Sequence, residues 1–455
     1  MRWEAVVLLL LLFWPLAAFG GRSAIAAITC AVGSILFALF ARAWAVPPGT
    51  RRNIDGALIG LSFYALLQCV PLPSSVGDAL SPMSGQVRRA LVLVPPDPHL
   101  WLPLTIDARA TLWAALVTSG WVAVFLGARA VFSRGGVRQT VRGIAGIGIA
   151  VSLLAIAQAA TAGRRIYWRF PTEYEGPLPF GPFVNRNHFA TWAIMAVPLC
   201  LGYAMARASK VAATAGGVSA SPRVRLARMA DGRTLWLGAS AALLIGALLV
   251  SLSRSGIFSL AAALLAGAAL FRSGRTPNWP PLAVGLVVLV IGIGVSRASL
   301  PAVASRFTQA GSSLAKRVTI WKETAPLVRD FRAAGTGAGT YRTAMFYYQR
   351  SARLVQFNQA HNHYLQVLAE QGLIGAALAI LGVIALVRAT FDRLRADASG
   401  VDWLRAGAAT GLMAAALQSV WETGLVMPAN AALAATLAAI AVHHRHLPAP
   451  AAASD

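Results

Sequence analysis

The feature that most constrains this chain is a series of long apolar runs that contain almost no charged residues. A helix needs about 20 mostly apolar residues to cross the hydrocarbon core of a bilayer. A window of that length identifies about twelve candidate spans. They lie near residues 4–20, 23–46, 55–72, 110–132, 142–162, 188–206, 235–253, 256–271, 280–296, 372–388, 403–421 and 429–444. One such run alone could be a buried helix, but their repetition predicts an all-α, polytopic integral membrane protein.

The charge of the chain is low in amount and strongly positive in sign. Only 12% of the residues are charged, whereas 57% are hydrophobic. A soluble domain carries about 25% charged residues. Lys and Arg number 40 against 16 Asp and Glu, which gives a net charge of +24. Such a balance can indicate nucleic-acid binding, but here the basic residues alternate with apolar runs. We therefore expect a lipid bilayer around the chain and no nucleic-acid partner.

The basic residues also predict an orientation, because loops rich in Lys and Arg stay in the cytoplasm. If the N-terminus is cytoplasmic, every internal cytoplasmic loop is basic. An even number of spans then leaves both termini in the cytoplasm, with residues 445–455 as a tail. Three long segments face outward, at residues 73–109, 163–187 and 297–360. Outward loops of this length predict that any active site lies on the outer side.

The largest outward loop, residues 297–360, joins the ninth and tenth predicted spans. It holds ten Lys or Arg residues against only Glu323 and Asp330. Its length predicts a small helical subdomain on the bilayer surface, with Pro326 bending or ending the first helix. The sequence GTGAGT at 335–340 is preceded by no strong strand, as a phosphate-binding loop requires. We therefore expect a flexible turn there.

The sharpest local motif surrounds His361 at the mouth of the tenth span. A histidine titrates near pH 6.5, so it can accept a proton from a sugar hydroxyl at neutral pH. Two other interpretations exist. His361 could be a structural residue at a helix start, or a zinc ligand together with His363 and His188. Zinc prefers a better-defined ligand set, and we therefore expect no metal.

Four further polar motifs fall on the same predicted face as His361. Arg254, flanked by Ser and Gly, either extends its side chain to the membrane–water interface (snorkelling) or binds an anion. Glu422, at the predicted membrane depth, is a candidate partner for an arginine. The remaining motif residues are Asn185, Arg186 and His188 in GPFVNRNHF, Arg317 and Trp321 in the large loop, and Asn430 after Met427-Pro428. An Arg317–Trp321 pair could also simply stack on the loop surface.

At these residues the chain resembles the bacterial O-antigen ligase family, also called the O-antigen polymerase-related family. The family pattern is His, then Asn, Ser or Gln, nine residues, and Gly-x-x-Gly. It is matched by His361, Asn362, residues 363–371 and Gly372-Leu373-Ile374-Gly375. The Ser-x-Ser-Arg-x-Gly, Arg-x-x-x-Trp, GPFVNRNHFA and Pro-Ala-Asn segments also look like those of the family. The resemblance covers roughly residues 180–435.

The resemblance implies a glycosyltransferase of the GT-C-like helical type, without metal or cofactor, in the bacterial inner membrane. Its donor would be a glycan on undecaprenyl pyrophosphate, used at the periplasmic face, and its acceptor a glycan, lipid A-core or a protein. Residues matching Arg254 and Arg317 are held to engage the pyrophosphate, and the one matching His361 to activate the acceptor. The other predicted substrate-binding residues are Asn185, Arg186, His188, Asn362, His363, Trp321, Glu370 and Asn430. Residues 1–162 would form N-terminal spans and 163–444 the catalytic region.

Several functions remain open within this interpretation. A ligase and a polymerase of capsule or exopolysaccharide repeats would share the donor site and differ in acceptor, which the sequence does not identify. A protein-glycosylating member is a variant of the same chemistry. A transporter of lipid-linked glycans would place polar residues near the middle of the membrane on broken helices. Because the polar residues gather at one surface here, the sequence favours a transferase.

Overall fold

The computed structural model describes residues 2–45, 52–91, 101–172, 178–214, 232–271, 310–351, 355–396 and 401–444, and within these residues it is mostly helical. The helices are α1 (Trp3–Ala17), α2 (Ala24–Phe40), α3 (Arg52–Leu67), α4 (Ser74–Leu80), α5 (Ser84–Ala90), α6 (Ala108–Ser133), α7 (Val137–Thr161), α8 (Arg186–Thr214), α9 (Gly232–Ser251), α10 (Arg254–Leu270), α11 (Ala310–Asp330), α12 (Tyr341–Tyr348), α13 (His363–Ala396), α14 (Asp402–Gln418) and α15 (Pro428–Val442). Two antiparallel pairs of two-residue strands accompany them: β1 (Pro71–Leu72) with β2 (Leu102–Pro103), and β3 (Arg165–Ile166) with β4 (Phe170–Pro171). The predicted helical architecture is confirmed, and these short strand pairs are the departure from an all-α fold.

Ten of the described helices have the apolar character of the predicted spans. Five are long and apolar enough to cross a membrane, namely α6, α7, α8, α9 and α13. Five others are apolar but shorter, namely α1, α2, α3, α10 and α15. This composition is that of a membrane protein. The predicted span at 280–296 lies outside the described residues, and α14, at the predicted span 403–421, is not among these ten helices. The number of about twelve spans therefore stays a prediction.

Small residues bring α8 and α14 into close contact. A Cβ atom on Gly202 would lie 2.4 Å from the carbonyl oxygen of Trp403, and one on Gly407 would lie 2.5 Å from that of Pro198. In a bilayer, helices associate through such close packing because lipid is as apolar as the side chains. At one end of this contact, the side-chain amide nitrogen of Gln418 lies 3.4 Å from the backbone carbonyl oxygen of Asn187. The packing therefore places the start of α8 beside the end of α14.

A buried ion pair joins α3 to α6. Both guanidinium nitrogens at the end of Arg129 donate to the carboxylate of Asp55, at 2.6 and 2.7 Å. Arg129 is only 2% exposed. The bidentate geometry compensates the loss of water around both charges. Arg129 is therefore a packing residue as well as a member of a predicted cytoplasmic loop.

The described part of the large loop folds into a subdomain with a core of its own. Residues from α5, α11, α12 and α13 pack together there; they include Val87, Leu327, Phe331, Tyr341, Met345 and Ala369. The helix α11 continues through Pro326 to Asp330, so this proline does not end it. Packing of Leu327 and Phe331 into the core favours continuation of the helix beyond the proline.

The glycine-rich turn at 335–340 is tightly packed, and the expectation of a flexible turn is wrong. Gly335, Gly337 and Gly339 all have positive φ angles. A Cβ atom on Gly335 would lie 2.3 Å from the carbonyl carbon of Glu370, and one on Gly337 would lie 2.0 Å from Thr105 Oγ1. The glycines thus serve close packing of the turn against α13 and against the segment around the start of α6, rather than mobility.

The helix α13 is interrupted at Gly372, which has φ 61° and ψ −163°. Beyond this residue, the Leu373 amide donates to the carbonyl oxygen of Arg332 at 2.8 Å. A Cβ atom on Gly372 would lie 2.4 Å from the carbonyl oxygen of Ala333. The first glycine of the Gly-x-x-Gly pattern therefore lets the end of α11 dock into a break in α13.

Candidate active site

The site is organised around the carboxylate of Glu422, in the connection between α14 and α15. Its side chain is 1% exposed. Oε1 accepts hydrogen bonds from Arg317 Nη2 and, at 2.5 Å, from Asn187 Nδ2. Oε2 lies 3.3 Å from Nδ1 of His361. One buried carboxylate thus joins α8, α11 and the residue just before α13, which belong to three of the predicted motifs.

The surroundings of Glu422 favour its ionised form. Burial by itself raises the pKa of this carboxyl, because the charged form loses water. The hydrogen bond with His361 and the positive charge of Arg317 act in the opposite direction and hold the pKa of Glu422 below its ordinary value. The carboxylate is therefore a fixed negative charge at neutral pH.

His361 lies just before α13, with its main chain in the left-handed region at φ 48°. Its side chain is 35% exposed. Since ionised Glu422 can only accept, it favours a proton on Nδ1 of His361. The Nε2 atom then carries the lone pair, so this geometry suits His361 as a proton acceptor.

Arg317 reaches the site from α11, where Trp321 follows one turn later. The Arg317 side chain is 22% exposed. The Trp321 indole N–H donates to the carbonyl oxygen of Ala360 at 2.9 Å, and its ring lies 6.3 Å from that of Trp421. Trp321 therefore fixes α11 over the residue that precedes His361. A guanidinium offers five N–H donors, so Arg317 can hold Glu422 and still present donors to an anion.

Arg254 belongs to the same end of the bundle through its neighbour Ser253. The Ser253 hydroxyl donates to Asn187 Oδ1 at 2.9 Å, and Arg254 is the first residue of α10. A Cβ atom on Gly256 would lie 2.7 Å from Cβ of Ala190, so the glycine allows α10 to approach α8. The structure thus brings the Ser-x-Ser-Arg-x-Gly motif next to the Glu422 cluster.

The remaining residues of the GPFVNRNHF motif shape the start of α8. The Asn185 carboxamide oxygen accepts from the Asn187 amide at 2.9 Å, and the Arg186 amide donates to the carbonyl oxygen of Leu178 at 3.0 Å. His188 is 8% exposed. These contacts orient Asn187 toward Glu422. Asn187 is a site residue absent from the predicted set, although the polar density of its motif was a signal for it.

Three other predicted residues hold the backbone around the site through hydrogen bonds. They are Asn430, Asn362 and His363. Asn430 is fully buried and donates to the carbonyl oxygens of His188 and Gly424, at 3.0 and 2.9 Å. Asn362 Oδ1 accepts from the Leu365 amide at 3.0 Å, as a helix cap does. The His363 amide donates to the carbonyl oxygen of Ser419 at 2.8 Å. Direct contact of these three residues with substrate stays a prediction.

Glu370 lies apart from the Glu422 cluster, against the glycine-rich turn. Its carboxylate accepts from the amides of Gly339 and Tyr341, at 2.8 and 3.2 Å. Direct contact of Glu370 with substrate stays a prediction. Among the described residues, no group of three or more His, Cys, Asp or Glu side chains is arranged to hold a metal ion.

Comparison with known proteins gives one family match. The family described as O-Antigen ligase matches residues 239–380, about a third of the chain. The matched segment includes Arg254, Arg317 and His361, whereas Asn187 and Glu422 lie outside it. No curated protein matches the chain. The resemblance to the O-antigen ligase and polymerase-related family is confirmed over this segment, and the apolar helices indicate a membrane protein.

Proposed function

We propose that this chain, which carries an O-antigen ligase domain at residues 239–380, transfers a glycan from undecaprenyl pyrophosphate to an acceptor hydroxyl. The observation that carries the proposal is the shared contact of Arg317 and His361 with buried Glu422. It brings a cation suited to phosphate next to a base suited to a hydroxyl. Both are needed when a sugar leaves a pyrophosphate and joins an oxygen.

His361 is the acceptor base in this mechanism. Its Nε2 atom takes the proton from the acceptor hydroxyl as the oxygen attacks the anomeric carbon. The imidazolium that forms is stabilised by the carboxylate of Glu422, 3.3 Å from Nδ1. The proposed step uses no metal.

Arg317 and Arg254 stabilise the leaving group. The bond between the anomeric carbon and the phosphate oxygen breaks, and its electron pair stays on the pyrophosphate. Guanidinium groups bind phosphate oxygens in a bidentate manner, and fixed donors at a site of developing charge lower the barrier. Direct displacement inverts the configuration at the sugar carbon.

The proposed setting is the bacterial inner membrane, with both termini in the cytoplasm and the site on the periplasmic side. The basic short loops support this orientation, because such loops remain cytoplasmic. A polymerase that extends a capsule or exopolysaccharide would use the same donor chemistry with a glycan as acceptor. A knockout strain assayed for the surface glycan that disappears distinguishes a ligase from a polymerase.

The test is glycan transfer by purified variants in lipid nanodiscs. We expect His361→Ala, Arg317→Ala and Arg254→Ala each to abolish transfer while the protein remains folded. Arg254→Lys should also fail, because lysine does not reproduce bidentate contact. Arg388→Ala is the matched control, since Arg388 is an exposed arginine in the C-terminal half of α13. Full transfer by His361→Ala would contradict the proposed role of this histidine.

A further inference from the structure

A chain of buried hydrogen bonds leads from the glycine-rich turn to the main chain of His361. Glu370 is 9% exposed, and its Oε1 accepts from the Gln366 side-chain amide at 3.1 Å. Gln366 is 8% exposed, and its own Oε1 accepts from the Ala360 amide at 3.2 Å. Ala360 immediately precedes His361. The carboxylate of Glu370 is therefore two hydrogen bonds away from the amide of Ala360, the residue that precedes the proposed base.

Both polar groups of Ala360 are fixed by side chains. Gln366 accepts from its N–H, and Trp321 donates to its carbonyl oxygen at 2.9 Å. Because Trp321 lies on α11, four residues after Arg317, the same residue also links the histidine to the helix of the phosphate-binding arginine. The position of Ala360 thus affects both the proposed base, His361, and the helix that carries the proposed pyrophosphate ligand, Arg317.

The main chain of His361 needs such support. A non-glycine residue with positive φ is uncommon, and it persists where the surrounding structure holds it. His361 has φ 48°. If the contacts at Ala360 were lost, the backbone would relax and move the imidazole relative to Glu422. Misplacement of a catalytic group by about 1 Å can reduce a rate about 100-fold.

The other end of the chain of hydrogen bonds is rigid. Oε2 of Glu370 accepts from the Gly339 amide and Oε1 from the Tyr341 amide, at 2.8 and 3.2 Å. The Gly337 amide donates to the carbonyl oxygen of Glu370 at 2.8 Å. Glu370 therefore stands on a packed turn from which it can fix Gln366.

We propose that Glu370 and Gln366 are positioning residues, which hold the main chain of His361 in its active geometry through Ala360. The inference rests on the proposed function, in which His361 is the acceptor base. It also gives the Glu370 of the His361 motif a role other than substrate contact. Neither residue touches the substrate in this account.

The first test is Gln366→Met, which keeps the size of the side chain and removes both of its hydrogen bonds. We expect kcat for transfer to fall about 10- to 100-fold, with the KM for the undecaprenyl-pyrophosphate donor nearly unchanged. Glu323→Gln is the matched control. Glu323 also accepts from backbone amides of the loop subdomain, those of Arg350 and Ser351, so its replacement should leave kcat unchanged.

A second test uses rescue and does not depend on Gln366→Met. Glu370→Gln places an amide where three donors need acceptors, and it should lower kcat. The new NH2 group can face the side-chain NH2 group of Gln366, which donates to Glu370 in the wild type. Adding Gln366→Glu replaces that NH2 group by an oxygen that accepts from the new glutamine, while its other oxygen still accepts from the Ala360 amide. The kcat of the double variant should therefore be about tenfold or more above that of Glu370→Gln. A purely structural role would instead change the folded yield and leave kcat per folded molecule unchanged.

The outcomes separate this inference from the proposed function. If His361→Ala is inactive and Gln366→Met retains full kcat, the positioning role is wrong and the base is not affected. If the double variant regains nothing over Glu370→Gln, the positioning role is also wrong. If His361→Ala is fully active, the proposed function itself fails, whatever Gln366→Met does.

Discussion

Replacement of Glu422 by glutamine tests the central arrangement of the site. The glutamine oxygen can keep the hydrogen bonds that Oε1 accepts from Arg317 and Asn187. The amide nitrogen then takes the place of Oε2, 3.3 Å from Nδ1 of His361. An amide donates there, so the proton of the neutral imidazole moves to Nε2. The atom proposed to accept the hydroxyl proton is then already protonated.

The expected loss follows from this change of tautomer. General base catalysis contributes about 10²- to 10⁴-fold, so kcat should fall within that range. Stability should change less. The Arg317 side chain is 22% exposed, so water solvates its charge when the carboxylate is neutralised. We expect a loss of about 1–2 kcal/mol in the free energy of unfolding, below the 3–5 kcal/mol of a fully buried unpaired charge.

The assay is single-turnover transfer in nanodiscs, corrected for folded protein by size-exclusion chromatography. Glu323→Gln serves as control, because it removes a carboxylate of the loop subdomain outside the cluster. A kcat within about twofold of wild type would refute the orienting role of Glu422. A raised KM for the donor with unchanged kcat would instead assign Glu422 to donor binding through Arg317.

Three further predictions concern the charge of Glu422, the break in α13 and the orientation of the chain in the membrane. The folded pKa of Glu422 lies below its ordinary value near 4.5. Ionised Glu422 therefore stabilises the folded protein above that pH, and this stabilisation is lost as the pH falls through the folded pKa. The melting temperature of Glu422→Gln should not show this decrease at acidic pH. Gly372→Ala should lower the yield of folded protein, since its Cβ would lie 2.4 Å from the carbonyl oxygen of Ala333 at φ +61°, whereas Gly246→Ala, with open space, should not. A topology reporter fused after residue 230 should indicate the cytoplasm and one after residue 340 the periplasm; the reverse pattern would contradict the proposed orientation.

Much of the site was predictable from local motifs. The His-Asn-x9-Gly-x-x-Gly pattern identified His361, and Arg317 was recognisable from its spacing to Trp321. Glu422 was recognisable as an acid at the predicted membrane depth. Its pairing with an arginine was also predicted. That this arginine is Arg317, and that Asn187 and His361 share the carboxylate, was not predictable, because Arg317 lies 105 residues and Asn187 lies 235 residues away in sequence. Such contacts depend on how the helices pack.

Glu370 also shows that a local motif does not predict which groups a side chain contacts in the fold. Its place in the His361 motif predicted a substrate contact, whereas its hydrogen bonds go to Gly339, Tyr341 and Gln366. The glycine-rich turn was expected to be flexible because glycine lacks a side chain. In the fold, that lack allows the turn to approach α13 closely.

The sequence by itself determined that the chain forms apolar helices and carries the residue types of an O-antigen ligase domain. Helix formation and membrane affinity depend on runs of neighbouring residues, so a linear reading captures them. Only the tertiary structure decided that Glu422 joins Arg317, Asn187 and His361, and that Glu370 bonds to Gln366, which in turn bonds to the Ala360 amide. A side chain's partners depend on helices that pack together from distant parts of the chain, and hydropathy along the sequence does not encode that packing.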